Sequence, residues 1–555
     1  MRLIRKKYGL YKGGISIKTK RRLLRFLMLG ISGLLTASTL IYTKLGLIEW
    51  ISLIPLMLFL IDDGKTADLR KRGIYGYGFF FFFCYYVVTY HWFFNLYPLD
   101  WIAGMTPAAA MIVCMLACVG LSILYGLFGA TVLLITKVML RTEFLTRQKL
   151  LRPFVIAAMW AVYEWWQTFG WWGVPWARLA VGQTYYIVGV QTASLFGPFF
   201  ITFALVLVNA LISQAITERE NISSVRVLSC IAVGILVFQY GVGTVLYFTD
   251  RDSDSTVRVA AVQGNLDSNE KWDANSTRIT IETYTKYTLE AAEKGATIVV
   301  WPESAFPYQV SESNSMGLLC SNLAKQAGVT ILVGAFTKND DRQELNSLIC
   351  VLPDGSFHET VYSKQRLVPF GEFVPMREFF STIVPPLAEL VMTDDDFAPG
   401  EGPNIISTSG IDIGGLVCFD SIYEELTRQS VLSGAQIICL GTNDAWFSRS
   451  AARYIHNSQA QLRAIESGRY IARAANTGAS MIINSKGEII SELEPLTDGV
   501  LVEDICVNDN LTLYTRIGNL CVYLMIAFLV AVAGFSVADK ITKNKEKIQC
   551  RKIFS

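Results

Sequence analysis

The sequence predicts a bundle of membrane-spanning α-helices with an α/β domain inserted before the last helix. Hydrophobic residues occupy 52% of the 555 positions and charged residues only 17%, whereas roughly a quarter of the residues in an average soluble protein are charged. Residues 256–504 differ, because apolar and polar positions alternate there as in a soluble domain. Within that stretch, runs rich in Val and Ile are interleaved with helix-like segments. We therefore expect a membrane part and a globular α/β part.

Eight apolar segments predict the membrane-spanning helices. Each approaches the roughly 20 residues that an α-helix needs to cross the hydrocarbon core. Seven of them precede the soluble stretch and one follows it. They are residues 23–42, 45–61, 74–96, 107–134, 154–169, 185–212, 227–248 and 520–538.

Basic residues predict the orientation of the bundle, because short loops rich in Lys and Arg stay in the cytoplasm. With eight helices, four basic stretches fall on one side: the N-terminal tail, the loops "DDGKTADLRKR" and "RTEFLTRQKLLR", and the C-terminal "KITKNKEKIQCRK". The soluble stretch then lies on the opposite side. The predicted division is a basic cytoplasmic tail (1–22), a seven-helix membrane part (23–249), an extracytoplasmic domain (250–510), a final transmembrane helix (511–540) and a basic cytoplasmic tail (541–555).

Two features of the membrane part have two interpretations each. Glu164 lies inside an apolar helix, where an ionisable group indicates a function, but tryptophans around it also place it near an interface that its carboxylate can reach. The segment "GVPWARLAVGQ" is predicted to be a re-entrant or interfacial loop that either caps the bundle or shapes an entrance for lipids.

Charge and residue counts exclude several classes of function. The formal net charge of +2 gives no reason to expect nucleic-acid binding. The 11 cysteines show no C-x-x-C spacing, and the three histidines are His91, His358 and His456. We therefore expect no metal site, no disulfide framework and no cofactor.

The soluble stretch is predicted to be an α/β layer structure with a buried sheet. Six runs have the composition of strands: "VRVAAVQGN", "ATIVVWPES", "VTILVGAF", "SLICVLPDG", "IDIGGLVCFD" and "AQIICLGTND". Helices are predicted at 276–294, 313–327, 422–433 and 455–474. Strands and helices that alternate in this way are typical of layered α/β domains.

Polar side chains follow three of these strands. Glu303 follows "TIVVWP", Cys418 follows "IGGLV", and Asn443 with Asp444 follows "IICLGT". Since the carboxyl ends of parallel strands share one crevice, we expect these side chains to converge on one site. Lys364 ends the second arm of a hairpin that turns at "PDG".

These residue types permit nucleophilic acyl transfer. A thiol attacks a carbonyl as a thiolate, a buried carboxylate can take its proton, and a lysine can hold the oxyanion. No histidine is expected to serve Cys418, because His358 precedes the lysine on an exposed hairpin and His456 lies in a polar helix start. Taken singly, each of these residues could also have a purely structural role, since a single Cys in a strand is more often an inert apolar group than a nucleophile.

Four motifs, taken in their order along the chain, resemble those of a known protein family. "WPESAFP", "YSKQRLVPFGEFVP", "LVCFDS" and "GTNDAWF", with seven apolar spans before and one after, resemble the apolipoprotein N-acyltransferases of bacteria over essentially the whole chain. The inserted domain resembles the nitrilase superfamily, whose members share a Glu-Lys-Cys triad. The resemblance implies a polytopic α-helical membrane bundle with an inserted nitrilase-like αββα sandwich domain.

The resemblance also implies roles for individual residues. Glu303 would be the general base and acid, Lys364 the oxyanion stabiliser and Cys418 the nucleophile. Trp272 in "KWD" matches a tryptophan that is important in the family, and Glu372 in "PFGEF" matches a supporting glutamate.

The chain departs from the family pattern at two places. Phe419 and Asp420 stand where Tyr and Glu are commoner, and the shorter Asp420 leaves the role of that carboxylate open. Gly518 and Asn519 replace a frequent Gly-Asp pair.

The implied reaction has two half-steps. Cys418 would take an acyl chain from a phospholipid as a thioester, and the α-amino group of the N-terminal diacylglyceryl-cysteine of a lipoprotein would then attack it, which predicts ping-pong kinetics. The implied setting is the bacterial cytoplasmic membrane, and nothing in the sequence requires more than a monomer. Residues 376–392, apolar beside the catalytic lysine, are either an arm that admits lipids or a helix packed on the bundle. Residues 443–456 are a second candidate lid.

Two alternatives remain open at this stage. A membrane-tethered amidase, nitrilase or lipid hydrolase would use the same triad and release the acyl group to water. A catalytically silent scaffold that binds lipids or lipoproteins would not need the triad.

Overall fold

The structure is a computed structural model that describes residues 17–62, 70–99, 105–250, 252–266, 274–383, 396–447 and 450–553. Its membrane part contains thirteen short and long α-helices before the first strand of the described chain, and two follow the last strand. The helices of the first part are α1 (Ile17–Ile41), α2 (Glu49–Ser52), α3 (Ile54–Ile61), α4 (Lys71–Thr89), α5 (Pro107–Met115), α6 (Leu121–Leu140), α7 (Glu143–Arg147), α8 (Arg152–Trp166), α9 (Leu179–Gly182), α10 (Ile187–Val190), α11 (Ala193–Phe196), α12 (Pro198–Thr217) and α13 (Ile222–Phe248).

Within the described residues, six helical stretches are long and apolar enough to cross a membrane: Thr19–Ile41, Thr43–Ile61, Pro107–Leu140, Pro198–Thr217, Ile222–Phe248 and Leu520–Cys550. The other two predicted spans also form helices. Helix α4 packs between α1 and α6, and the 15-residue α8 packs against α12. Each of the eight apolar segments therefore contains helix.

The sixth predicted span is interrupted. The prediction of one helix over 185–212 is wrong, because α10 and α11 are one-turn helices and α12 begins only at Pro198. Gly197 has a φ of +77°, and a Cβ there would lie 2.5 Å from the ring of Tyr514. A left-handed glycine followed by proline ends one helix and starts the next.

The soluble domain contains thirteen strands in the described chain. They are β1 (Thr256–Gln263), β2 (Ile298–Val300), β3 (Phe306–Gln309), β4 (Thr330–Lys338), β5 (Glu344–Val351), β6 (Tyr362–Ser363), β7 (Ile405–Thr408), β8 (Ile411–Val417), β9 (Ile437–Thr442), β10 (Ile471–Ala475), β11 (Met481–Ile483), β12 (Ile489–Glu492) and β13 (Gly499–Cys506). The helices are α14 (Ala274–Glu293), α15 (Ser315–Ala327), α16 (Arg377–Ile383), α17 (Glu424–Leu432) and α18 (Ala452–Ser467), followed by α19 (Leu513–Ile517) and α20 (Leu520–Ile553).

These strands form two sheets. One runs in the order β13-β1-β2-β4-β5-β6 with β3 beside β4, and the other in the order β12-β11-β10-β9-β8-β7. Apolar side chains of both, such as Val259, Ile298, Ile413 and Ile437, fill the space between them. Helices α14 and α15 cover the first sheet, and α17 and α18 cover the second. This arrangement is the predicted αββα sandwich.

One predicted helix is too long. The prediction continued the fourth helix of the domain through residue 474, but α18 ends at Ser467, where Gly468 takes a left-handed φ of +64°. The "IARAA" that follows is β10, fully buried between β9 and β11. A short apolar run cannot be assigned to helix or strand by periodicity alone.

Buried polar contacts join the sandwich to the bundle. Arg178, just before α9, donates to the carboxylate of Glu424 at 2.8 Å, and both side chains are at most 2% exposed. The hydroxyl of Tyr423 donates to the carbonyl of Gly173 at 2.7 Å. The segment "GVPWARLAVGQ" therefore lies between the two parts of the molecule, where it contacts the helices that cover the second sheet.

Glu164 lies in the interior of the bundle and does not reach an interface. It is 3% exposed, and its carboxylate accepts hydrogen bonds from the indole of Trp160, the backbone N–H of Leu179 and the hydroxyl of Thr202. The interpretation of a side chain that extends to the interface is wrong. Its carboxylate connects α8 with α9 and α12.

Candidate active site

Glu303 lies just beyond β2 with every carboxylate oxygen engaged. Oε1 accepts from Lys364 Nζ at 2.9 Å and from Asn346 Nδ2 at 2.8 Å, and Oε2 accepts from the backbone N–H of Asn443 at 3.0 Å. The side chain is 8% exposed. These donors fix the position of the carboxylate.

Lys364 follows β6 and lies between two carboxylates. Its Nζ is 2.9 Å from Oε1 of Glu303 and 2.9 Å from Oε1 of Glu372, and the lysine side chain is 2% exposed. Burial acts to lower the pKa of Lys364, but the charges of Glu303 and Glu372 outweigh it and hold the pKa well above its ordinary value. The site therefore contains a buried ammonium that is charged at neutral pH.

Asn346 on β5 completes this cluster, and sequence reasoning missed it. Its Nδ2 donates to Oε1 of Glu303 at 2.8 Å and to Oε1 of Glu372 at 2.9 Å, so the same two oxygens receive both Lys364 and Asn346. A signal was present, since Asn346 is a polar residue at the edge of the apolar run "SLICV". Its partners lie too far away in the chain to be paired with it from sequence.

Cys418 stands at the sharp turn that ends β8. Its φ is +48°, a left-handed conformation that costs a non-glycine residue roughly 1–3 kcal/mol and persists only where the surroundings hold it. Three residues earlier, a Cβ on Gly415 would lie 2.6 Å from the ring of Tyr362, so glycine lets β8 approach the strand that leads to Lys364. The backbone thus presents the thiol beside the lysine.

The thiol of Cys418 is protonated at rest. Burial and the neighbouring charge of Glu303 raise its pKa above the ordinary value, although the charge of Lys364 acts in the opposite direction. A protonated thiol needs a base at the moment of attack. Glu303 is the carboxylate whose charge acts most strongly on it.

Asp420 connects the lysine loop with the nucleophile loop. Its carboxylate accepts from the hydroxyl of Tyr362 at 2.9 Å and from the backbone N–H groups of Arg366 and Val417, at 2.8 and 3.3 Å. The side chain is fully buried, and that burial raises its pKa to about 7. The short carboxylate therefore has a structural position, which the sequence had left open.

The other predicted residues are less central. Phe419 is half-buried and packs edge-on against Tyr423, with ring centroids 5.5 Å apart. Asn443 contributes its backbone N–H to Glu303, while its side chain accepts from Ala445 and Asn476. Trp272 lies outside the described residues.

The strand ends converge as expected, but from two sheets. Glu303 follows β2 of the first sheet, whereas Cys418 and Asn443 follow β8 and β9 of the second. His456, which the sequence analysis set aside, is buried, and its Nε2 lies 3.2 Å from the carbonyl oxygen of Cys418. The site thus combines a thiol, a carboxylate and a fixed ammonium. These are the functional groups that acyl transfer through a thioester requires.

Comparisons with known families divide the chain at the same place as its architecture. Residues 32–211 match the model of the apolipoprotein N-acyltransferase N-terminal domain. Residues 258–509 match the carbon-nitrogen hydrolase model.

Curated relatives match both parts. The apolipoprotein N-acyltransferase of Geobacter metallireducens is 32% identical over 379 residues, which are 66% of this chain and 71% of the relative. That of Gloeobacter violaceus is 27% identical over 502 residues, 90% of this chain and 92% of the relative.

Two solved structures are similar to about half of the chain. A mutant of the amidase from Nesterenkonia sp. AN1, of the nitrilase superfamily, is 19% identical with a TM-score of 0.36 and covers 50% of this chain and 98% of that chain. A carbon-nitrogen hydrolase from Helicobacter pylori G27 is 18% identical with a TM-score of 0.34 and covers 45% of this chain and 89% of that chain.

Proposed function

The chain belongs to the apolipoprotein N-acyltransferase family and is an acyltransferase, and from this we propose that it moves a fatty acyl chain from a phospholipid to the N-terminus of lipoproteins. The acceptor is the α-amino group of the diacylglyceryl-cysteine. The observation that carries the proposal is the buried ammonium of Lys364, 2.9 Å from both Glu303 and Glu372 beside the strand end that bears Cys418. A water-excluded cluster of this kind is suited to an oxyanion that forms during acyl transfer.

In the first half-reaction, Glu303 takes the thiol proton of Cys418 as sulfur attacks the ester carbonyl of the phospholipid. The new C–S bond places a negative charge on the carbonyl oxygen, which the ammonium of Lys364 stabilises. When the carbonyl re-forms, the C–O ester bond breaks and Glu303 returns the proton to the leaving glycerol oxygen. The products are lysophospholipid and a Cys418 thioester.

In the second half-reaction, the amine of the lipoprotein attacks the thioester. Glu303 takes a proton from the attacking nitrogen, the C–S bond breaks, and the proton returns to sulfur. The product is an N-acyl lipoprotein, and the enzyme is regenerated. Because one product leaves before the second substrate reacts, the kinetics are ping-pong.

Both proposed substrates are anchored in lipid, which agrees with the attachment of the domain to apolar helices. We propose residues 376–392 as an arm that admits lipids. The structure describes this segment as far as residue 383, and large apolar side chains are exposed there, since Met376 is 54% and Phe379 is 52% exposed. We place the domain (250–510) outside the cytoplasm, between the seven-helix part (23–249) and the last helix (511–540). Both basic tails (1–22 and 541–555) then lie in the cytoplasm of a bacterial cell, and the protein works as a monomer.

The test is acyl-enzyme formation by the purified protein in phospholipid micelles, read by intact mass. We expect one fatty acyl mass on the wild type and none on Cys418→Ala, whereas Cys230→Ala, which removes an exposed cysteine of α13, keeps it. Addition of a diacylated lipopeptide should discharge the thioester into an N-acyl product. Free fatty acid without an acceptor would instead indicate a hydrolase, and neither adduct nor product would indicate a scaffold.

A further inference from the structure

Asp444, His456 and Arg473 form a buried polar cluster that the proposed half-reactions do not use. Oδ1 of Asp444 lies 3.0 Å from Nδ1 of His456, and Oδ2 accepts from Arg473 Nη2 at 2.6 Å. Arg473 also donates to the carbonyl of Ala479 at 2.6 Å. The exposed fraction of each of the three side chains is at most 1%. The imidazole is thus held in one orientation by the Asp444 carboxylate, which is itself paired with Arg473.

The other edge of the imidazole contacts the backbone of the nucleophile. Nε2 of His456 lies 3.2 Å from the carbonyl oxygen of Cys418 and 2.9 Å from Oγ of Ser421. Ser421 donates to the same carbonyl oxygen at 2.7 Å. Two side chains therefore hold the Cys418 carbonyl.

The cluster also reaches the sulfur side of Cys418. The hydroxyl of Thr442, which acts to lower the pKa of the Cys418 thiol, donates to Oδ1 of Asp444 at 3.2 Å, and the same oxygen contacts His456. One carboxylate oxygen thus anchors contacts to both the side chain and the carbonyl of Cys418. Such support is what a left-handed non-glycine residue requires.

A held carbonyl also sets the direction of the next amide. In a planar trans peptide, the C=O and the following N–H point to opposite sides. When His456 and Ser421 hold the Cys418 oxygen on one side, the N–H of Phe419 faces the other. The hydrogen bonds within the described chain leave that N–H without an internal acceptor.

We infer that His456 is a positioning residue which, fixed by Asp444 and Arg473, holds the Cys418 carbonyl and thereby aims the Phe419 N–H at the acyl oxygen under attack. That N–H is then a second oxyanion donor opposite the ammonium of Lys364. The inference rests on the proposed acyl transfer and adds no covalent step. It predicts a defect in oxyanion stabilisation and not in the reactivity of the thiol.

The test compares two reactions of Cys418. Thioester formation from phospholipid passes through an oxyanion, whereas alkylation by iodoacetamide does not. For His456→Phe, we expect the single-turnover rate of acyl-enzyme formation to fall about 100-fold, the loss typical of one oxyanion donor. The rate of alkylation should stay within about threefold of the wild type.

Two further variants sharpen the result. His456→Gln keeps a side-chain N–H that can reach the Cys418 carbonyl, and it should restore acylation to within about tenfold of the wild type. His358→Phe makes the same change on a surface hairpin, where Nε2 contacts the carbonyl of Ser407 at 3.0 Å, and it should leave both rates unchanged.

The outcomes separate the inference from the proposed function. Unchanged acylation in His456→Phe overturns the inference, and so does an equal fall of both rates, since that reports a general loss of the thiol site. Absence of any acyl-enzyme in the wild type would remove the proposed function itself. A selective fall in acylation that Gln reverses supports the positioning role.

Discussion

Nζ of Lys364 lies 2.9 Å from Oε1 of Glu303, with the lysine side chain 2% and the glutamate side chain 8% exposed. Removal of one partner from such a buried pair leaves an uncompensated charge, which typically costs about 3–5 kcal/mol. A change at Glu303 therefore has two effects. It removes the proposed proton carrier, and it also disturbs Lys364, whose ammonium is proposed to stabilise the oxyanion. Variants must separate these effects.

Glu303→Gln separates them, because glutamine retains an oxygen that accepts from Lys364 but cannot carry the proton. We expect the rate of acyl-enzyme formation to fall by about 10²–10⁴-fold, the usual contribution of a general base. Single-turnover assays with a phospholipid donor measure this rate. Glu290→Gln is the control, since Glu290 on α14 forms an exposed ion pair with Lys294, just after the helix ends. Acylation by Glu303→Gln at the wild-type rate would contradict the assignment of the base.

Asn346→Asp tests the amide that bridges the two carboxylates. The change replaces the Nδ2 donor with a third carboxylate beside Glu303 and Glu372, where like charges are unfavourable. We expect a loss of acylation of at least about 100-fold. Asn346→Leu, which removes the donor without adding a charge, should lose less.

The comparison of these two variants is the measurement that matters. Equal loss in both would show that only the hydrogen bonds of Asn346 are important and that repulsion is not. Thermal unfolding in detergent, measured in parallel, identifies any variant that is simply unfolded at the assay temperature.

Local patterns in the sequence predict much of this architecture. Apolar segments of membrane length predict the helices of the bundle except over residues 185–212, where the chain is interrupted, and strand-like runs predict six of the strands. The rule that polar residues follow parallel strands brings Cys418 and Asn443 together on the second sheet, whereas Glu303 reaches the site from the end of β2 in the first sheet. Each of these inferences uses only neighbouring residues and a known period.

Contacts between distant residues were not predictable in this way. The pairing of β1 with β13 joins Thr256 to Cys506, far along the chain. Asn346 contacts Glu303 across 43 positions, and His456 contacts Cys418 across 38. No local period indicates such pairs, and His456 in particular has the appearance of an ordinary polar residue in a helix.

Asp420→Ala tests the connection between the lysine loop and the nucleophile loop. The change leaves the backbone N–H groups of Arg366 and Val417 without their acceptor, and each buried unsatisfied donor costs about 1–3 kcal/mol. We expect a lower unfolding temperature and a fall in acylation of about tenfold or more. Phe419→Tyr, at the neighbouring departure from the family pattern, should retain acylation within about threefold, because the half-buried ring makes apolar packing contacts, including an edge-on contact with Tyr423.

Arg178→Met tests the junction between bundle and sandwich. It leaves Glu424 buried without its partner, which typically costs about 3–5 kcal/mol. We expect the unfolding temperature to fall, and Arg178→Met combined with Glu424→Gln to recover part of the loss because the unpaired charge is gone. No recovery in the double variant would show that Arg178 acts through its packing against Phe199, whose ring centroid lies 4.8 Å from the guanidinium.

Arg473→Met should reveal the charge state of Asp444 through the pH dependence of stability. Burial opposes ionisation of Asp444, but the charges of Arg473 and His456 outweigh it and hold its pKa well below the usual range. A carboxylate with a depressed pKa contributes stability above its unfolded pKa of about 3.9 and loses that contribution as the pH falls toward its folded pKa.

Without Arg473, the carboxylate stays buried and largely uncompensated at neutral pH, so we expect a loss of about 3–5 kcal/mol at about pH 7. On acidification toward about pH 4, Asp444 of the variant takes up a proton while the wild type does not, and the difference between the two proteins should shrink. Unfolding temperatures across this range measure the difference. Arg258→Met, which breaks an exposed pair with Asp504, should show a small effect at every pH. A penalty for Arg473→Met that grows on acidification would mean that Asp444 is not the group whose charge the arginine compensates.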